Sequence, residues 1–276
     1  MFSNIKAHHY HFQNKAAPPG TRAARVMSAR ASLPRHACNV AGVALMSLYI
    51  GSYGTACAAG PAPVKLGKAT FFTILSKSGI TDVPGSAIVG NIGTSPITGA
   101  ADHVTCSEVT GNILSVDAAG PAPCSIIMPS LLGNGVRAMQ KAYNDAAGRT
   151  PTVFALGNGN IGGLTIPPGT YNWTTPVSIG SNVTLAGHKS DVWIFQVAQD
   201  MDITAGSAVK ISGGGLASNV FWQVGGKVTM ESSSHLEGIV LAKQQIALKT
   251  SASVHGRLYT QTAVTLQMNA ITKSDH

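Results

Sequence analysis

The 276-residue sequence has little charge, because Asp, Glu, Lys and Arg together make up only 11% of it. Aromatic residues are also few, at 6%, and there are only four cysteines. Glycine, by contrast, occurs 31 times. A weakly charged chain rich in turn-forming glycine argues against an all-helical bundle and favours a compact fold of short strands and turns.

The net charge of +8 is unevenly distributed along the chain. Six of the 19 Lys and Arg residues precede residue 60, whereas all 11 Asp and Glu residues follow it. The remainder therefore carries 13 basic and 11 acidic residues, a net charge of +2. Such a nearly neutral body offers no basic surface for a polyanion, so we expect no nucleic-acid partner.

The basic N-terminal segment has the pattern of a secretory signal peptide. Basic residues precede an apolar run over 40–50, and Ala56-Cys57-Ala58 offers small residues for cleavage. The run is too short for a membrane span, and no later segment reaches the roughly 18 apolar residues that one needs, so we expect no membrane partner. We expect a secreted, extracellular protein that loses residues 1–58, within which residues 1–26 are either a wrongly assigned gene start or a real extension. Residues 59–276 then form one domain.

Two cysteines, Cys106 and Cys124, remain after the expected cleavage. In an oxidising compartment we expect them to form a disulfide. A single cysteine pair without a His or acidic companion at ligand spacing is a weak metal signal, so we expect no metal and no cofactor.

Short units with apolar ends and a small middle residue recur along the second half of the chain. They are spaced by roughly 18 to 26 residues, as in a β-solenoid, in which each coil buries alternate residues in a shared core. The units are Val177-Ser178-Ile179, Ile203-Thr204-Ala205, Val228-Thr229-Met230, Ile246-Ala247-Leu248 and Val264-Thr265-Leu266. A second series has charged or mixed outward residues, and a third is apolar on both sides and must therefore be covered.

The predicted cover is one helix over residues 130–148, with Ser130 as the N-cap. Its apolar stripe consists of Val136, Met139, Tyr143 and Ala146. Gly133 and Gly135 weaken the first turns, so the regular helix is expected to begin near Val136. Residues 98–128 have no repeat phase and suit a cap, which a solenoid needs because an open end exposes core and unpaired edges.

Several motifs, in order, resemble the DUF3494 family of ice-binding proteins from fungi and bacteria. They are LGKATFFTILSKSGI (66–80), VGNIGTSPITG (89–99), MQKAYNDAAGRT (139–150), PPGTYNW (167–173), DVWIFQV (191–197), NVFWQVGGKVTM (219–230), SHLEGIVLAK (234–243) and QTAVTL (261–266). The resemblance implies an all-β solenoid, namely an irregular right-handed β-helix with one long helix alongside, a cap region and an N-terminal strand beside the last coil. It also implies adsorption to ice, with thermal hysteresis and inhibition of recrystallisation. Gln244 and Gln245 stand where many members have a Thr-Ala pair.

An ice-binding surface must be flat, rigid and uncharged, because ice offers neither charge nor a pocket. The first series alone has small, uncharged and uncovered outward residues, and we expect it to contact ice. Its members are Ser178, Thr204, Thr229, Ala247 and Thr265, extended by Thr262 and by Ser78 and Thr81 of the inserted strand. An alternative row in the adjoining turns consists of Ser232, Ser234, Thr250 and Ser253. Asn172 and Asn182 begin glycosylation sequons, and we expect any occupied one to lie off this face.

Two other classes of protein compete with this interpretation: a carbohydrate-active β-helix enzyme and an extracellular adhesin. An enzyme needs clustered acids, but we interpret Asp200 and Asp202 as a solvated turn and His235, Glu237 and His255 as surface polar residues. Trp193 and Trp222 are interpreted as core. We therefore expect no catalytic residue, and a monomer whose partner is the ice surface.

Overall fold

The structure of the protein, a computed structural model, describes residues 60–274. The predicted signal peptide, residues 1–58, lies outside the described residues. Within them, no helix is both long and apolar enough to span a membrane.

The described chain consists of 23 short strands and one α-helix. In chain order the elements are β1 (Phe72–Ser76), β2 (Gly79–Val83), β3 (Ala87–Val89), β4 (Asn91–Thr94), β5 (Asp102–His103), β6 (Val109–Thr110), β7 (Ile113–Ser115), β8 (Ser125–Ile127), α1 (Pro129–Ala147), β9 (Val153–Phe154), β10 (Thr165–Ile166), β11 (Gly169–Trp173), β12 (Val177–Ile179), β13 (Val183–Ala186), β14 (Trp193–Val197), β15 (Met201–Ile203), β16 (Val209–Ser212), β17 (Val220–Val224), β18 (Val228–Met230), β19 (His235–Ala242), β20 (Ile246–Leu248), β21 (Ser253–Thr260), β22 (Ala263–Gln267) and β23 (Ala270–Thr272). Short 3-10 helices cover Gly67–Phe71, Gly99–Ala101, Cys106–Glu108, Leu156–Gly159 and Ala217–Asn219.

The strands form three sheets, of thirteen, seven and three strands. The seven-stranded sheet has the order β12-β15-β18-β20-β22-β2-β5, and the three-stranded sheet has the order β10-β13-β16. The longest path through the thirteen-stranded sheet is β8-β7-β4-β1-β21-β19-β17-β14-β11-β9. Neighbouring strands are parallel, as in β15 beside β18 and β14 beside β17. Successive segments such as β12, β13 and β14 thus supply one strand to each sheet in turn.

The N-terminal strands lie beside the C-terminal ones, as the resemblance implies. β1 pairs with β21 on one side and with β4 on the other. β2 likewise pairs with β22 and with β5. Residues that are far apart in sequence therefore share two sheets.

The core between the sheets contains large aromatic side chains from successive strands. Trp173, Trp193 and Trp222 are each 1% exposed or less, which confirms the core assignment of the last two. The Phe195 and Trp222 rings stack with centroids 4.1 Å apart. Because parallel strands repeat about every 4.8 Å, identical inward positions in adjacent coils bring such rings into contact.

Helix α1 begins at Pro129, and its N-cap is Met128, which makes no side-chain capping bond. The prediction that Ser130 is the N-cap was therefore wrong, since proline at the first position fixes a helical φ and needs no amide partner there. Helical geometry continues through both glycines. The buried face includes Val136, Met139 and Ala146, as predicted.

Close approach to β1 explains why glycine stands within the buried face of α1. A Cβ atom at Gly135 would lie 2.6 Å from Cε2 of Phe72 and 3.3 Å from Cδ2 of Leu75. At Gly133 the nearest atom would be 3.7 Å away, on the guanidinium of Arg137. Only Gly135 is therefore required by packing.

The region predicted as a cap, residues 98–128, supplies the end strands of two sheets. It contributes β5, the last strand of the seven-stranded sheet, and β8, the last strand of the thirteen-stranded path. A disulfide joins Cys106 to Cys124 across this region.

Candidate functional site

The outward side of the seven-stranded sheet presents one residue from each strand, in register. We call this set the central row: Ser178, Asp202, Thr229, Ala247, Thr265, Thr81 and His103. The residues on either side of each middle position in β12, β15, β18 and β20 are apolar and at most 1% exposed. Alternation along a strand thus fixes the row on the outside. Backbone pairing holds its members about 4.8 Å apart.

The sequence placed Thr204 in this row, and the structure shows that this was wrong by two positions. The unit that pairs with Val177-Ser178-Ile179 is Met201-Asp202-Ile203, so Asp202 takes the outward place. Thr204 lies after the strand, where its hydroxyl lies 3.2 Å from the Ile179 carbonyl and 2.8 Å from Ser207 Oγ. Ile203 is apolar and could be either the last residue of a unit over 201–203 or the first residue of one over 203–205. Because Met201 is buried, the unit is 201–203.

Thr81 lies directly opposite Thr265, so the inserted strand extends the central row. Ser78 and Thr262 lie before their strands and outside the row, with the Ser78 amide donating to the Thr262 carbonyl at 3.0 Å. The Thr262 hydroxyl is itself buried. These two predicted members therefore adjoin the row rather than form part of it.

The alternative row in the turns is not a row in the structure. Ser234 is fully buried, and its hydroxyl donates to the Glu231 carbonyl at 2.6 Å. Ser253 lies on β21, in another sheet, 2.8 Å from His235 Nδ1. Ser232 and Thr250 are exposed turn residues. The four side chains therefore do not form one exposed row.

Positions two residues before and after the central row determine how wide its uncharged area is. On β22 these are Ala263 and Gln267, and on β2 they are Gly79 and Val83. Beside Thr229 and Ala247 the corresponding positions include Lys227, Glu231 and Lys249, which sit at the edges. The uncharged area is therefore widest at β22 and β2 and narrows toward β15.

A second outward surface, formed by the three-stranded sheet and the first halves of β19 and β21, is charged. His255 Nδ1 lies 2.8 Å from one Glu237 oxygen, and His235 Nε2 lies 3.3 Å from the other. Burial alone would raise the pKa of Glu237, but the two histidines outweigh burial and hold this pKa below its usual range. Lys210 adds a further exposed charge. Such a surface keeps its own hydration and is poorly suited to a neutral solid.

Helix α1 packs on the outer side of the thirteen-stranded sheet, against β1, β7, β14, β17 and β19. The Gln196 amide donates to the carbonyls of Ala146 at 2.8 Å and Arg149 at 2.7 Å, which ties the end of the helix to β14. Asn172 donates its side-chain amide to Gln196 at 3.1 Å. The strands under α1 are therefore covered, and the side-chain amide of the Asn172 sequon is hydrogen-bonded to a residue that holds the helix end.

The other sequon asparagine, Asn182, is exposed in the turn before β13. Its Oδ1 accepts a hydrogen bond from the Ala208 amide at 2.9 Å, which leaves the amide nitrogen outside this contact. Neither sequon lies in the central row.

The buried acids near the cap hold turns together. Glu108 accepts hydrogen bonds from the amides of Gly85, Ser86 and Thr105 at 2.6, 3.0 and 2.8 Å. Burial opposes ionisation of Glu108, but hydrogen bonds from the side chains of Thr105 and Asp82 and from the amides of Thr105 and Gly85 outweigh it and lower the pKa of Glu108 to about 2. Burial raises the pKa of Asp102 to about 7. No group of three or more His, Cys, Asp or Glu side chains suited to a metal ion occurs within residues 60–274.

The sequence matches the family model described as Ice-binding-like over residues 74–272. It is 52% identical over 230 residues to an "Ice-binding protein" of Colwellia sp, covering 82% of this chain and 91% of that protein. It is also 52% identical over 210 residues to an "Ice-binding protein" of Flavobacterium frigoris (strain PS1), covering 76% of each. Among solved structures, an ice-binding protein (LeIBP) from Arctic yeast superposes with a TM-score of 0.72 at 35% identity, covering 78% of this chain and 95% of that one. These matches confirm the resemblance found in the sequence motifs.

Proposed function

The chain belongs to the Ice-binding-like family, and we propose that it adsorbs to ice through the central row of its seven-stranded sheet. The observation that carries this proposal is the run Thr229, Ala247, Thr265 and Thr81 on four adjacent strands. It is small and uncharged, whereas the second outward surface is charged and the middle strands of the thirteen-stranded sheet lie under α1.

Three physical properties suit this run to ice. Parallel pairing fixes the spacing of its members, so the water they order forms a regular layer. Threonine in a strand is restricted to few rotamers, which keeps its methyl and hydroxyl groups in place. Each methyl removed from water contributes only about 0.8 kcal/mol, so adsorption depends on many groups acting together.

We also propose that the three sheets form an irregular right-handed β-helix. In support, successive segments supply one strand to each sheet in turn, and the pairing is parallel. Crossover connections between parallel strands of one sheet are right-handed in about 98% of cases. Cleavage of residues 1–58, secretion and a monomeric state complete the proposal. The Cys106–Cys124 disulfide suits an oxidising compartment.

Recrystallisation in frozen sucrose solution tests the proposal directly. Residues 59–276, produced in an oxidising compartment, should keep ice grains small at micromolar concentration and should show thermal hysteresis. The same protein, reduced and heat-unfolded, serves as the control and should do neither. Ice grains that coarsen as fast with folded protein as with buffer would contradict the proposal, and release of reducing sugar ends from a polysaccharide would favour an enzyme instead.

A further inference from the structure

Asp202 is the exception within the central row. It lies between Ser178 and Thr229, in register with both. We propose that Asp202 marks the boundary of the ice-contacting area and limits the strength of adsorption; this rests on the function proposed above. Ser178, beyond Asp202, is thereby cut off from the rest of the row.

The length of the uncharged run follows from the pairing. Thr229, Ala247, Thr265 and Thr81 occupy four adjacent strands, and Asp202 and His103 occupy the next positions at either end. Three intervals of about 4.8 Å give a run of about 14 Å. Without the carboxylate at 202 the run would include Ser178 and span five intervals, or about 24 Å.

A carboxylate opposes adsorption because it must give up or reorganise its hydration when it approaches a neutral solid. Burying a charge without a partner is far more costly than burying a hydroxyl. Asp202 is exposed, and within residues 60–274 its side chain makes no hydrogen bond or ion pair. No ion pair therefore offsets this cost.

The fold does not depend on the Asp202 side chain. Its neighbours Met201 and Ile203 are fully buried and anchor β15. Thr229, its partner on β18, shows that threonine fits this position of the row. Asp200 differs, since its Oδ1 accepts a hydrogen bond from the Lys227 amide at 2.7 Å and so holds a turn. Asp200 should be left unchanged in any test.

The test compares Asp202→Thr, Asp202→Asn and wild type in thermal hysteresis at equal concentration. Asp202→Thr should raise hysteresis roughly twofold, because both the area and the number of ordered methyl groups increase. Asp202→Asn removes the charge without adding a methyl group, so its hysteresis should lie between those of wild type and Asp202→Thr. It also replaces Asp202→Thr as the decisive variant if the latter fails to fold.

Glu237→Gln is the matched control, because it removes an acid from the second outward surface, on a sheet other than that of the central row. It changes the net charge as Asp202→Thr does, but outside the row, and should leave hysteresis near the wild-type value. An equal increase in both variants would overturn the inference in favour of a net-charge effect. If wild type is active and Asp202→Thr folds but shows no greater hysteresis, the inference is also overturned. If wild type itself shows no hysteresis, the proposed function is refuted.

Discussion

The first turns of α1 offer a direct test of how closely the helix packs on β1. Gly133 and Gly135 lie two residues apart in the same helix, yet a Cβ atom would have 3.7 Å of clearance at the first and only 2.6 Å at the second. Replacing each with alanine makes the same chemical change in two different environments. The two variants should therefore change stability in opposite directions.

The magnitudes follow from two effects. Alanine favours a helix over glycine by about 1 kcal/mol, so Gly133→Ala should stabilise the protein by about that amount. At Gly135 the same gain is opposed by overpacking, which typically costs about 1 to 3 kcal/mol. Phe72 is fully buried, so in a close-packed core its ring can shift only by displacing its neighbours. We expect Gly135→Ala to be less stable than Gly133→Ala by about 2 kcal/mol.

Urea unfolding of residues 59–276 measures this difference, with the slope of the transition showing whether the extent of unfolding is unchanged. For a domain of this size, each kcal/mol corresponds to about 2 to 4 °C in Tm. If Gly135→Ala stabilises the protein as much as Gly133→Ala, the helix does not lie at this distance from Phe72 and the packing argument is refuted.

Three further predictions concern the cap and the sequons. Burial raises the pKa of Asp102 to about 7, so the stability that its protonated form contributes is complete below about pH 4 and is lost as pH rises through about 7. In unfolding measured from pH 4 to 8, wild type should therefore lose up to about 4 kcal/mol of stability that Asp102→Asn does not lose. Replacing Cys106 and Cys124 together by serine should reduce stability by about 3 kcal/mol, and an unchanged Tm would contradict this. In a glycosylating host, peptide mass mapping should find a glycan on Asn182 and none on Asn172, since only the latter's amide is bonded inside the fold.

Much of the fold could be predicted because apolar alternation reveals which residues point inward. Four of the five predicted units coincide with strands of the seven-stranded sheet. The fifth failed because Ile203 is apolar and fits both possible units, and a shift of two residues keeps the outward face while changing which residue joins the row. The partner strand, rather than the local sequence, sets the register there.

Long-range contacts were beyond the reach of local patterns. Arg257 is 1% exposed and donates hydrogen bonds to the carbonyls of Thr70 and Phe72 at 2.7 and 2.8 Å. This buried charge anchors the start of β1 to β21, although the residues are more than 180 positions apart. Nothing in the sequence near Arg257 distinguishes it from an exposed arginine. The close approach of Gly135 to Phe72 on β1 was likewise not predictable from the sequence near α1.

The most direct test of the central claim compares Thr265→Tyr with Thr184→Tyr. Both threonines are half-buried middle residues of strands, one in the central row and the other in the three-stranded sheet. Both variants should keep a Tm near that of wild type. Thr265→Tyr should lose most of the thermal hysteresis, because the protruding ring prevents the neighbouring residues of the row from contacting ice. Thr184→Tyr should keep it. Full hysteresis in Thr265→Tyr, or its loss in Thr184→Tyr, would contradict the assignment of the ice-binding surface.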